Sequence, residues 1–179
     1  MTSAKELQDQ GVKLYEQHDY EAAARVFRQA MDAYSEAGQP EMSAEMQTNI
    51  GLVHRALGEQ QQALDIMQQA LTSFRENDDK QRTAQVLGNM GGVYTELGDK
   101  EQAYNCYRQA ADIFQELGEN KLYGETMLAM GAMQVRDGKL WAGAATYEVG
   151  LDNLEKLSAT QRVLKSLIGV KNRLSGTSS

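Results

Sequence analysis

Gln47-Thr48-Asn49-Ile50-Gly51-Leu52-Val53-His54 and Leu87-Gly88-Asn89-Met90-Gly91-Gly92-Val93-Tyr94 are one pattern written twice, 40 residues apart. The central glycine recurs outward at the same period as Gly11 and Gly131, and a second small-residue ladder follows it as Ala23, Ala63, Ala103 and Gly143. Bulky residues then return in register: Phe27, Met67, Tyr107 and Tyr147, with Ala30, Ala70, Ala110 and Gly150 one turn on. Units of this length cannot bury an apolar face alone. They read as a stacked array in which each covers its neighbour, and such an array offers an extended surface in place of a closed catalytic pocket.

These residues resemble the tetratricopeptide repeat over roughly residues 4 to 157. In that pattern a small residue on the first helix of a unit faces a small residue on the second, and bulky neighbours fill the gap. The common unit has about 34 residues, so a period of 40 implies helices longer by most of a turn, as in the branch that includes kinesin light chain and Pins-like scaffolds. The resemblance implies an all-α, right-handed α-solenoid of four helix hairpins that binds a peptide or helix of another protein. Gln10 stands where Ile50, Met90 and Met130 stand, and Gln134 where Tyr94 stands, so the end units depart from the pattern.

Local chemistry places the helix ends. Ser3-x-x-Glu6 is a capping box for a helix running to about Gln17. The hairpin turns fall at His18-Asp19, Gly58-Glu59, Gly98-Asp99 and Gly138-Lys139, and turns between units at Gly38, Asn77-Asp78-Asp79 and Gly118. Pro40 suits a first helical turn, where its missing amide costs nothing. One Pro in 179 residues, with abundant Ala, Gln, Glu and Leu, favours helix throughout. The repeats therefore span about 4–38, 41–78, 80–118 and 120–157 of one linear domain, 1–157. Ser158-Ala-Thr-Gln161 opens a capping helix, 158–174, with Val163, Leu164, Leu167, Ile168 and Leu174 on one face, and residues 175–179 form a disordered tail.

Charge and composition exclude several classes. The total is −7, and Arg162, Lys165, Lys171 and Arg173 contribute four positive charges to the last helix, which leaves −11 for the rest. An acidic body argues against nucleic acid, whose phosphates require a basic stripe. The four cations read as a solvated face near a helix C-terminus, with contact to an acidic partner or anionic lipid as the alternative. The N-terminal residues lack an apolar signal core and no run approaches a membrane span, so a cytoplasmic location without membrane insertion is expected. Cys106 aligns with Val26, Ile66 and Thr146 and reads as a packing residue. His18 and His54 lie in different units, with neither metal-ligand spacing nor an evident orienting partner, so no catalytic residue, metal or cofactor is expected.

The resemblance assigns the partner-binding groove to the first helices. Helical spacing around the glycines places Val12 and Tyr15, then Asn49, Leu52 and Arg55, then Gln85, Asn89 and Thr95, and finally Leu128, Ala132, Val135 and Arg136 on that inner face. Gln8, Thr48 and Glu45 are read onto the same face. Asn49 and Asn89 stand one repeat apart, and two readings remain: their amides pair with a ligand backbone, or they bridge adjacent helices. The cochaperone variant of the family clamps a terminal carboxylate with Lys, Asn and Arg. Here Gln8, Val12, Gln85 and Asn89 replace those groups and only Asn49 matches, so that mode is not expected.

A second surface stands out in the fourth unit. Trp141, Ala145 and Val149 occupy the positions of Glu21, Arg25 and Gln29, of Gln61, Asp65 and Gln69, and of Glu101, Asn105 and Gln109. Three polar columns become apolar together on the convex side. This stripe reads as a contact for self-association, hence a homo-oligomer, or for a larger complex; the alternatives are that the final helix folds over Trp141 or that it stays exposed alone.

Overall fold

The computed structural model describes the backbone of residues 2–174 and the side chains of residues 2–169. The expectations for Lys171, Arg173, Leu174 and residues 175–179 lie outside those limits. The described residues form helices and turns and no strand. The array expected as one linear domain divides into two compact units, Met1–Cys106 and Tyr107–Ser179, with the boundary inside a helix. In repeat arrays of this kind each repeat, and not each helix, is the unit that meets its neighbours.

The first unit contains α1 (Ala4–Glu16), α2 (Tyr20–Glu36), α3 (Pro40–Ala56), α4 (Gln60–Glu76), α5 (Lys80–Leu97) and the start of α6 (Lys100–Glu116). Each helix from α1 to α4 packs on the next, and α3 also touches α5. The second unit holds the remainder of α6, then α7 (Asn120–Arg136), α8 (Leu140–Asp152) and α9 (Ala159–Leu174), with α7 on α8 and α8 on α9.

Helix ends follow the sequence signals. Ser3 Oγ accepts from the Glu6 amide at 3.2 Å and the Ser3 amide donates to Glu6 Oε2 at 2.8 Å, closing the capping box. Seven turns, from His18 to Gly138 at intervals of 20 residues, carry a left-handed residue: His18 (φ 61°), Gly38, Gly58, Asp78 (φ 54°), Gly98, Gly118 and Gly138. The amide of the following residue reaches five positions back, as from Glu59 to the His54 carbonyl at 2.9 Å and from Asp79 to that of Phe74 at 2.9 Å, satisfying carbonyls that the helix end leaves open.

The glycine ladder exists because second-helix side chains lie on it. A Cβ on Gly11 would stand 2.6 Å from the ring of Phe27, and one on Gly51 would stand 2.6 Å from Met67 Cγ. Phe27, Met46, Ile50, Val53, Met67 and Phe74 are thereby buried in the first unit. In the second unit glycines oppose glycines: a Cβ on Gly131 would meet the Gly143 carbonyl at 3.0 Å, and one on Gly124 would meet that of Gly150 at 2.8 Å. At these glycines the backbones of α7 and α8 approach closely.

The last helix covers less than its stripe suggested. Ser158 and Gln161 form the expected box, through Ser158 N to Gln161 Oε1 at 2.8 Å and Gln161 N to Ser158 Oγ at 3.2 Å. Ile168 is buried and Leu164 half-buried, whereas Val163 is 61% and Leu167 62% exposed. Lys165, read as part of a solvated cationic face, is held by Asp152 at 2.6 Å.

Candidate functional site

In the first unit, the first helices of successive repeats are joined along one side by polar rungs. Tyr34 donates to Gln8 Oε1 at 2.7 Å, Gln8 Nε2 donates to Glu45 Oε1 at 2.9 Å, and Arg82 Nε donates to Glu45 Oε2 at 3.1 Å. Arg82 Nη1 also donates to Asp79 Oδ2 at 2.8 Å, and that bond, foremost among its acidic contacts, holds its pKa above the usual value. Gln8 and Thr48 are buried, Thr48 donating to the Ala44 carbonyl at 3.2 Å, so these two residues read onto the open face belong to the seam between helices.

Beside that seam the remaining residues of the face stay accessible. Val12 is 40% exposed, Gln85 is exposed, and Tyr15, Asn49, Leu52, Arg55, Asn89 and Thr95 are half-buried. Partial burial raises the pKa of Tyr15 and keeps its hydroxyl neutral, while nearby Arg55 opposes the shift. Thr95 donates to the Gly91 carbonyl at 2.7 Å, within its own helix. Among the described residues, the carboxamides of Asn49 and Asn89 make no hydrogen bond. The helix-bridging reading of these two residues is thus not what this structure contains.

Arg55 crosses from α3 onto α5. Its Nε and Nη2 donate to Glu96 Oε1 at 2.8 and 2.6 Å, and a Cβ on Gly92 would stand 2.7 Å from Nη1. Only the absent side chain of Gly92 lets the guanidinium lie flat there. The third repeat thus carries a charged, filled notch where the first two carry Val12 and Leu52.

In the second unit the corresponding residues divide. Ala132 and Arg136 are exposed. Leu128 and Val135 turn towards α8: a Cβ on Gly150 would stand 2.9 Å from Leu128 Cδ2, and one on Gly143 would stand 2.6 Å from Val135 Cγ2. Glycines at 143 and 150 open the space that draws them in, so these two contribute mainly to the hairpin, although Val135 remains 39% exposed. On the far side of α8, Trp141 is 70% and Val149 39% exposed and Ala145 is exposed.

His54 has a partner that sequence reading missed: its Nδ1 lies 2.6 Å from Glu59 Oε2, five residues on across the hairpin turn. The signal was available, because the Schellman turn at Gly58 folds position 59 back over position 54. The pair latches the turn. Cys106 is buried, and burial pushes its thiol up to about 11, which keeps it protonated. Among the described residues no group of His, Cys, Asp or Glu is arranged to hold a metal ion, and no helix is long and apolar enough to cross a membrane.

The family profile described as Tetratricopeptide repeat matches residues 7–76, 42–116 and 82–156 in three overlapping stretches. Among solved structures the chain is similar to BtubC (BKLC) from P. vanneervenii, with a TM-score of 0.67 and 18% sequence identity over 93% of this chain and 64% of that one. The chain thus spans about two thirds of that protein's length, and the likeness is one of fold. No curated protein sequence matches the chain.

Proposed function

Because the chain belongs to the tetratricopeptide repeat family, an all-α solenoid class whose repeats mediate protein contacts, we propose that it is a noncatalytic adaptor or scaffold that takes a peptide or helix of another protein along the concave face of its first helices. The observation that supports this most is the pair Asn49 and Asn89. They occupy equivalent positions on α3 and α5, are half-buried, and keep carboxamides that no described residue uses. A carboxamide offers one acceptor and two donors, so two of them one repeat apart are suited to a main chain laid across the helices. Leu52, Val12 and Tyr15 supply apolar contact beside them, Gln85 a further polar group, and Arg55 with Glu96 a charged end point.

The test is the double change Asn49→Ala and Asn89→Ala. Peptides selected from a random library on the wild-type chain should bind the variant about five- to a hundredfold more weakly, since each lost neutral hydrogen bond costs about 0.5–1.5 kcal/mol. Helicity and melting temperature should hold or rise, because alanine favours helix over asparagine. Undiminished affinity would refute the groove assignment.

A second reading concerns α8. The exposed Trp141, Ala145 and Val149 favour a contact surface for assembly, by self-association or on a larger complex, because a tryptophan exposed to 70% leaves a large apolar area in water. Replacing Trp141 with Glu should change either the assembly state or the recovery of a partner; no change in either would remove this reading. We further infer a cytoplasmic setting, which compartment fractionation tests.

A further inference from the structure

The second helices of the first three repeats present polar stripes, and α8 presents an apolar one. Gly143, Tyr147 and Gly150 hold α8 against α7, and at 100° per residue Trp141, Ala145 and Asp152 project from the opposite side with Val149 beside them. We propose that this face binds a second copy of the chain, α8 against α8 in antiparallel orientation, with Ala145 on the two-fold axis. The proposal rests on the reading of α8 as a contact surface and commits that surface to one occupant.

The spacing of the stripe selects that occupant. Trp141 and Val149 lie four residues on either side of Ala145, so a two-fold axis through Ala145 sets each Trp141 on the partner's Val149 and leaves the two small side chains facing each other. The stripe is its own complement, as an isologous interface demands, and alanine at the centre lets the helix axes approach while the larger residues fill the ends. No directional partner of another sequence is needed to satisfy it.

Charge agrees. Lys139 immediately precedes α8 and Asp152 ends it, six residues before and seven after Ala145. Antiparallel pairing brings each Lys139 to the partner's Asp152. Lys165 engages Asp152 Oδ1 at 2.6 Å, and a carboxylate accepts through both oxygens. The helix dipoles also oppose, placing each positive N-terminus beside a negative C-terminus. A parallel pair would set like ends together and Trp141 against the partner's Trp141.

The area sets the strength. Trp141, 70% exposed, offers about 170 Å² from the ~250 Å² of a large aromatic side chain, and Val149, 39% exposed, adds a smaller share. One helix face falls short of the roughly 800 Å² per partner of a standard interface, so dissociation on the order of 10 μM is expected in place of nanomolar affinity.

Sedimentation equilibrium of the full chain from about 1 to 500 μM tests this. The average mass should climb from 19.8 kDa towards twice that value, and Trp141→Glu should move the midpoint at least tenfold higher with an unchanged far-ultraviolet spectrum. Register is tested with Ala145→Cys, which under mild oxidation should crosslink to its own copy, while Asp65→Cys at the equivalent place on α4 should not; buried Cys106 gives no background. A mass fixed at 19.8 kDa throughout, or Ala145→Cys linking no faster than Asp65→Cys, overturns the proposal. If the mass stays fixed but Trp141→Glu abolishes capture of a different protein, the second copy is wrong and the contact surface stands. If Trp141→Glu alters neither mass nor capture, both fall.

Discussion

Alanine at Gly143 and at Gly88 is the same chemical change with opposite expected signs. A Cβ on Gly143 would lie 2.6 Å from Val135 Cγ2 and 2.9 Å from both the Gly131 carbonyl oxygen and the Val135 amide nitrogen. Two of those three atoms are backbone and cannot rotate away, so α7 and α8 must separate. Overpacking costs about 1–3 kcal/mol, and against two backbone atoms the upper part of that range applies, about 2–3 kcal/mol; offset by about 1 kcal/mol of helix propensity gained on replacing glycine, the net loss is about 1–2 kcal/mol. At Gly88 nothing lies within 4 Å of the new methyl, so only the propensity term remains, a gain of about 0.5–1 kcal/mol. For a chain of this size Gly143→Ala should lower the melting temperature by about 3–6 °C and Gly88→Ala raise it by about 2–3 °C. Thermal and urea unfolding followed by circular dichroism reads both, and hydrogen exchange should report faster opening of α7 and α8 in the first variant alone. If Gly143→Ala stabilises as Gly88→Ala does, the helices are not in backbone contact and the explanation of the small-residue ladder fails.

Asp78 is a non-glycine residue held at φ 54°, where five sister turns use glycine, so Asp78→Gly should stabilise by about 0.5–1 kcal/mol; a loss on urea titration would show that its side chain serves the turn. Cys106 has its folded pKa raised to about 11 from 9.0, so its contribution to stability is complete below pH 9 and declines as the pH rises from 9 towards 11; Cys106→Ser should flatten that part of the stability profile. Glu45→Ala removes the acceptor shared by Gln8 and Arg82 and should cost about 1 kcal/mol, measured by urea unfolding, with Arg82→Ala adding less than its independent value in the double variant. Ending the chain at 157 uncovers the surfaces that Ile168 and Leu164 meet, and should lower solubility in a precipitation assay; an equally soluble and stable truncation would show that α9 caps nothing.

The helix ends were legible because they depend on residues adjacent in sequence. A left-handed residue, a backward amide bond and a capping side chain all lie within six positions, and His18 and Asp78 fit the period without being glycine. Partners across a turn were less visible, although the same rule contains them: Glu59 lies over His54 because the turn at Gly58 returns the chain by one helical turn. The packing of α9 was legible only as a stripe. Periodicity shows which residues share a face, while the extent of the neighbouring surface decides how many are covered; Leu164 and Ile168 reach it, and Val163 and Leu167 do not.

The open face was the hardest element to place, for a geometric reason. Adjacent residues on a helix point 100° apart, so an alignment that fixes a column to one residue leaves its direction uncertain by about that angle. The column of Gln8, Thr48, Gly88 and Leu128 shows the consequence: Gln8 and Thr48 are buried in the seam, Leu128 packs on α8, and only Gly88 leaves open space. One position on, Asn49 and Asn89 are half-buried and their amides unused among the described residues, and three further on lie Val12, Leu52, Gly92 and Ala132. In the groove proposed above, the members of those two columns in the first unit are the face offered to a ligand. At Gly92 the side chain of another repeat, Arg55, already occupies the floor. A main chain laid over Asn49 and Asn89, as proposed, would meet apolar Leu52 beside the first amide and the Arg55 guanidinium beside the second, and this alternation, in place of either column alone, would give the groove its direction.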